Sequence, residues 1–142
     1  MKRRTIVVLV GLVLLAVLGY AALYFSPNWR FTRAYDALRM GMTEAQVSRL
    51  FRKPADYECT YRNTRVLYFY RGAPFDNHLA DMPASVTDRT QLPDIYDAAQ
   101  IAIGRDGTVS AFTWNGEELV VRTMRGNYGG ANLSRLDDTF FD

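Results

Sequence analysis

Few residues of this chain have the type and spacing to do chemistry. The 142 residues include one histidine, His78, and one cysteine, Cys59. A covalent mechanism needs a nucleophile beside a base, and a metal needs several His, Cys or carboxylate ligands converging on one point. His78 is flanked by Asp76 and Asp81, a thin ligand set in a proline-containing polar stretch where a lone histidine is ordinarily solvated. Glu117 and Glu118 are adjacent on an expected strand, so they point to opposite faces and cannot work as a pair. Asp137 and Asp138 fall in a polar tail. There is no P-loop, dinucleotide fingerprint or HExxH, and GNYGG lacks the strand-to-helix setting of a phosphate cradle. The sequence therefore predicts no catalytic residue, no cofactor site and no metal site, and the chain reads as a non-catalytic protein.

One other pattern carries chemical potential. Tyr57, Tyr61, Tyr68 and Tyr70 interleave with Arg62, Arg65 and Arg71. Aromatic faces and guanidinium forks can stack on sugars or grip anionic headgroups, which makes these seven residues the candidate interaction surface. The plainer reading is that strands favour tyrosine and that arginines fill the solvent side.

The elements that would position these residues begin with a membrane segment. Thr5 to Phe25 is uncharged and almost wholly aliphatic. As a helix it spans about 31 Å, enough to cross the hydrocarbon layer. Lys2, Arg3 and Arg4 precede it, and the positive-inside bias predicts a cytoplasmic N-terminus with the rest of the chain on the extracytoplasmic, periplasmic side of the cell membrane. Tyr20, Tyr24 and Trp29 resemble an interfacial aromatic belt. The alternative is a cleaved secretory signal ending at Gly19-Tyr20-Ala21, which would release a soluble form. Three of the 17 basic residues belong to this leader, leaving 14 against 15 acidic residues. A near-neutral remainder gives no electrostatic case for nucleic-acid binding. A lone Cys59 cannot form an internal disulfide. It reads as a small buried apolar residue between Tyr57 and Tyr61, with an intermolecular bridge as the alternative.

Length allows one domain beyond the anchor, since domains run to roughly 100–150 residues. Phe31, Ala34, Tyr35 and Leu38 form the stripe of an amphipathic helix, with Asn28 as its expected cap and Gly41 as its breaker. In GMTEAQVSRLFRKP, Thr43 and Gln46 are spaced as a capping box, Met42 and Val47 occupy the staple positions, and Val47, Leu50 and Phe51 line one face. Arg52 and Lys53 complement the helix C-terminus, and Pro54 stops the helix. From Tyr57 the period becomes alternating: YECTYR and TRVLYFYR separate near Asn63, AQIAI runs into GRDG, and TVSAFTW reaches Asn115-Gly116, a strong hairpin signal, before EELVVRT. The expected fold is α+β: an N-terminal transmembrane helix, then two helices packed across one face of a three- to four-stranded antiparallel β-meander. Expected boundaries are 1–26 for the anchor, 27–124 for the α+β domain with an insertion at 72–97, and 125–142 for a flexible tail.

The stretch at Gly41, Met42, Thr43, Val47, Leu50 and Pro54 resembles the signature of the BamE/SmpA/OmlA-type family of small bacterial envelope proteins, G-M-T, a short helix, then Gly-x-Pro. VLYFY and IAIGRDGTV echo its later pattern. Strong similarity covers about 17 residues, from Leu38 to Pro54. The resemblance implies two helices on a three-stranded antiparallel sheet and a module that binds envelope proteins or stabilises their complex through a sheet edge or the insertion. This chain differs from the family in two respects: Arg52 stands where the family has glycine, and no lipid-bearing cysteine follows the apolar run. The expected function is thus a single-pass, membrane-anchored, extracytoplasmic protein-interaction module. The alternative is an envelope sensor that binds a glycan or lipid headgroup through the Tyr/Arg surface. Partner identity and oligomeric state are not encoded in any motif.

Overall fold

An uncharged aliphatic run satisfies its own backbone polar groups most directly as a helix. Arg3–Tyr24 forms one, α1, with none of its residues buried against the rest of the chain. The structure, a computed structural model, describes residues 3–72, 81–93, 95, 97–114, 120–121, 133 and 141. The second and third helices are α2 (Pro27–Asp36) and α3 (Glu44–Phe51). The strands are β1 (Tyr57–Tyr61), β2 (Thr64–Tyr70), β3 (Ser85–Val86), β4 (Ala98–Ile103), β5 (Val109–Trp114) and β6 (Val120–Val121).

Ser26, not Asn28, caps α2: its Oγ accepts the Trp29 N–H at 3.3 Å, and Pro27 takes the first helical position, where its missing N–H costs nothing. The helix also ends at Asp36, ahead of the Gly41 expected to break it. There the Arg39 guanidinium donates to the carbonyls of Asp36 and Leu38, both at 2.7 Å, taking acceptors that another helical turn would have used. For α3 the capping box is complete, with the Thr43 Oγ accepting the Gln46 N–H at 3.3 Å and the Gln46 side chain accepting the Thr43 N–H at 2.8 Å. Arg52 ends α3 in the left-handed region, φ 56° and ψ 28°, where the resemblance would place glycine.

The sheet is mixed rather than a pure meander, with six strands among the described residues in the order β3-β1-β2-β4-β5-β6. β1, β2, β4, β5 and β6 pair antiparallel in sequence order, while β3, drawn from the expected insertion, runs parallel to β1. The β4–β5 turn closes on Gly107 at φ 76°, with the Asp106 carboxylate accepting from the Thr108 backbone and hydroxyl. The Asn115-Gly116 turn lies outside the described residues.

Both faces of the sheet are covered, which replaces the expected two-layer arrangement. Phe31, Leu38 and Val47 from α2, its following turn and α3 pack with Leu67, Phe69, Ile101 and Phe112. The Phe51 and Phe69 rings stack at 4.4 Å, and Phe31 touches both Phe51 and Trp114. The opposite face, with Cys59, Tyr61, Val66, Tyr68 and the small side chains of Ala98, Ala102 and Ala111, is covered by Leu92, Ile95, Leu133 and Phe141. Leu133 and Phe141 are fully buried, so the frayed-end expectation for 125–142 does not hold at those two positions. Cys59 is also fully buried, which removes its thiol from intermolecular chemistry in the folded chain.

A non-glycine residue in the left-handed region costs about 1 kcal/mol. Arg52→Gly is therefore expected to raise the urea-unfolding free energy of the full chain in micelles by about that much, and the β-branched Arg52→Val to lower it similarly. Equal midpoints for all three chains would show that no strain resides there.

Candidate functional site

The structure does not gather the seven Tyr and Arg residues of the predicted surface: the tyrosines share one face of the sheet, Arg65 lies on the other, Arg62 sits in a turn and Arg71 follows β2. Tyr57, Cys59, Tyr61, Val66, Tyr68 and Tyr70 alternate toward the face covered by the 81–93 segment and Ile95. Tyr61 and Tyr68 are 3% and 0% exposed, so neither can stack on an external ligand. The tyrosines hold the insertion down instead. The Tyr68 hydroxyl donates to the Pro93 carbonyl at 3.0 Å and the Tyr57 hydroxyl donates to the Pro83 carbonyl. Tyr61 meets Phe141 edge-on at 5.0 Å. Burial pushes the pKa of the Tyr57 and Tyr70 phenols above the ordinary tyrosine value, keeping both neutral and able to donate.

The arginines have three separate roles. Arg62 occupies the β1–β2 turn with φ 52° and lies over the Tyr61 ring. Arg65 points to the helix side, where it donates to Glu58 at 2.5 and 2.8 Å and to Glu44 at 2.7 and 3.3 Å, tying the first turn of α3 to β1 and β2. Hydrogen bonds from Arg65 hold the Glu58 carboxyl below its ordinary value against the opposing effect of burial. Arg71 pairs with Asp97 at 3.0 Å and lies over Trp114. His78, Asp76, Glu117, Glu118, Asp137 and Asp138 lie outside the described residues. Among the described residues no three His, Cys, Asp or Glu side chains gather closely enough to hold a metal ion.

A cleft of about 860 Å³ opens where α1 meets the domain, between the end of α1, α2, the C-terminus of α3 and the end of β2. Among the described residues five cations line it, Arg30, Arg33, Arg52, Lys53 and Arg71, and no carboxylate does. Lys53 bonds to Asp56 at 2.5 Å and to the Tyr70 carbonyl at 3.1 Å, so it joins α3 to β2 rather than merely complementing the helix end. Arg30, Arg33 and Arg52 are exposed, and among the described residues no carboxylate pairs with them. The Arg33 guanidinium stands 4.4 Å from the Tyr24 ring centre and that of Arg30 5.9 Å from Phe25, so both reach back to the last rings of the apolar run.

Compared with family models, curated proteins and solved structures, the chain matches none.

Sequence reasoning missed this cleft because its cations come from α2 and from the end of α3, which look unrelated until the chain folds. The signal available was Arg30 and Arg33, one helical turn apart directly behind a membrane-length apolar run.

Removing the Tyr68 hydroxyl leaves the Pro93 carbonyl without that donor. Tyr68→Phe is expected to cost about 1–2 kcal/mol and to speed amide exchange across 81–93, measured by mass spectrometry. For the Arg65 cluster the sign follows from the lowered Glu58 pKa: its contribution is present at neutral pH and fades as pH falls below the ordinary value of 4.5. With both partners about two-fifths exposed, that contribution is about 0.5 kcal/mol or less. Arg65→Met should flatten the acid limb of the stability profile by that small amount, which matched urea melts at neutral and acid pH would detect.

Proposed function

We propose that the chain is a single-pass membrane protein whose N-terminus stays in the cytoplasm. Its α+β domain stands on the periplasmic side as a non-catalytic module that binds envelope proteins or stabilises their complex. The observation that carries this reading is α1: 22 residues, none buried by the domain, with an apolar character that only a bilayer or another protein would cover. The resemblance to the BamE-type signature gives further support, because Gly41 and Met42 do structural work in this chain. The Gly41 N–H donates to the Val109 carbonyl at 3.0 Å, and the Val109 N–H donates to the Met42 carbonyl at 2.8 Å. Gly41 makes that approach at φ 81°, a conformation glycine adopts without cost.

The outer strands of the described sheet, β3 and β6, are two residues each and offer only a short template for an added strand. β3 flanks β1, while β6 and the Gly41–Met42 pairing flank β5. A partner is better served by exposed side chains on α3 and on the β4–β5 turn.

Three measurements test the reading. The chain should stay in the pellet of carbonate-washed membranes with its N-terminus intact; release, or a mature start at Ala22, would remove the anchor. A C-terminal alkaline phosphatase fusion should be active, and an inactive one would reverse the topology. Photocrosslinking side chains at exposed Arg49 and Arg105 should trap a membrane or periplasmic protein in intact cells, and recovery of the uncrosslinked chain alone from both positions would count against a partner.

A further inference from the structure

The cleft at the foot of α1 combines three features that point to one ligand. Among the described residues it is lined by five cations and no carboxylate, and Arg30, Arg33 and Arg52 are not neutralised by any described acidic side chain. Two of those guanidinium groups sit against Tyr24 and Phe25, the aromatic residues that close the apolar run and that belong at headgroup depth in a bilayer. On the proposed orientation these cations also lie on the side that the charge bias disfavours. Basic residues close behind a span oppose translocation of that flank, yet Arg30, Arg33 and Arg39 all follow α1 within the range where such charges count.

Arg52 adds an independent oddity. A backbone conformation that glycine would hold without strain is occupied by a long cation whose side chain faces this cleft. Guanidinium groups bind phosphate oxygens through paired, charge-assisted hydrogen bonds.

We propose that the cleft binds the phosphate of an anionic lipid in the leaflet where α1 ends, with Arg30, Arg33 and Arg52 as its ligands. Lys53 and Arg71 are paired with Asp56 and Asp97 and add no net charge, which leaves the three arginines as the binding groups. The bound lipid would fix the domain against the membrane surface, because its phosphate bridges α2 and the end of α3 while its chains lie beside α1. This rests on α1 remaining in the bilayer.

The test uses the full chain in nonionic micelles titrated with phosphatidic acid or phosphatidylcholine, counting bound lipid by native mass spectrometry. One phosphatidic acid should bind saturably in preference to phosphatidylcholine, and glycerol 3-phosphate in large excess should not displace it. Each cation near an anionic surface is worth about fivefold in binding, so combined Arg30→Gln, Arg33→Gln and Arg52→Gln should weaken it about a hundredfold. Arg52→Gly alone should weaken it about fivefold while its unfolding midpoint does not fall, which separates loss of a ligand from loss of the fold. Equal binding of the two lipids, unchanged binding by the triple variant, or displacement by glycerol 3-phosphate would each overturn the proposal, the last by making the ligand a soluble phosphate. Carbonate extraction of the parent chain keeps the two readings apart: a chain that stays in membranes but shows no lipid preference refutes only the cleft, whereas a chain that washes off refutes the anchor.

Discussion

Everything in the domain follows from a central strand that cannot face water on either side. All six residues of β4, AAQIAI, are buried, with side chains alternating between the two faces. Two coverings are therefore required. The helices lie over the larger residues, Leu67, Phe69 and Ile101, while the 81–93 segment with Ile95, Leu133 and Phe141 lies over Ala98, Ala102 and Ala111. The alanines leave room that Tyr61, Tyr68 and Phe141 fill, so the less regular layer still packs closely.

The second covering layer needs polar as well as apolar attachment, because a loop segment exposes backbone groups that helices satisfy internally. Tyrosine suits this role. Its ring fills core volume and its hydroxyl reaches a carbonyl that has no strand partner. Tyr57 and Tyr68 do this on two sides of the 81–93 stretch, at Pro83 and Pro93, residues whose own nitrogens cannot donate.

Local signals were legible in the sequence where they involve neighbours along the chain. The capping box at Thr43 and Gln46, the break between β1 and β2, and the Gly107 turn are each set by residues a few positions apart. What depended on distant contacts was not legible. The alternation of Tyr57, Tyr61 and Tyr68 identified a strand face but could not say that 81–93 and Ile95 would cover it, and so a core layer read as a binding surface. Arg52 stands where the family resemblance has glycine, but its left-handed backbone is definite only with the fold. Arg30 and Arg33 gave no sign of sharing a cleft with Arg52, since nothing local relates the start of α2 to the end of α3.

The junction between α1 and α2 has one more consequence. Only Phe25 and Ser26 separate Tyr24 from Pro27, and the Ser26 N–H donates to Leu23 while Phe25 donates to Ala21. Two residues give a leash of about 7 Å even when fully extended. With α1 in a bilayer, such a domain could not sample the space between two membranes as a ball on a long string does; it would skim a single plane. Encounters would then be governed by lateral diffusion and surface density rather than by bulk concentration, and lengthening that leash would change whom the domain can meet without altering a single contact within it.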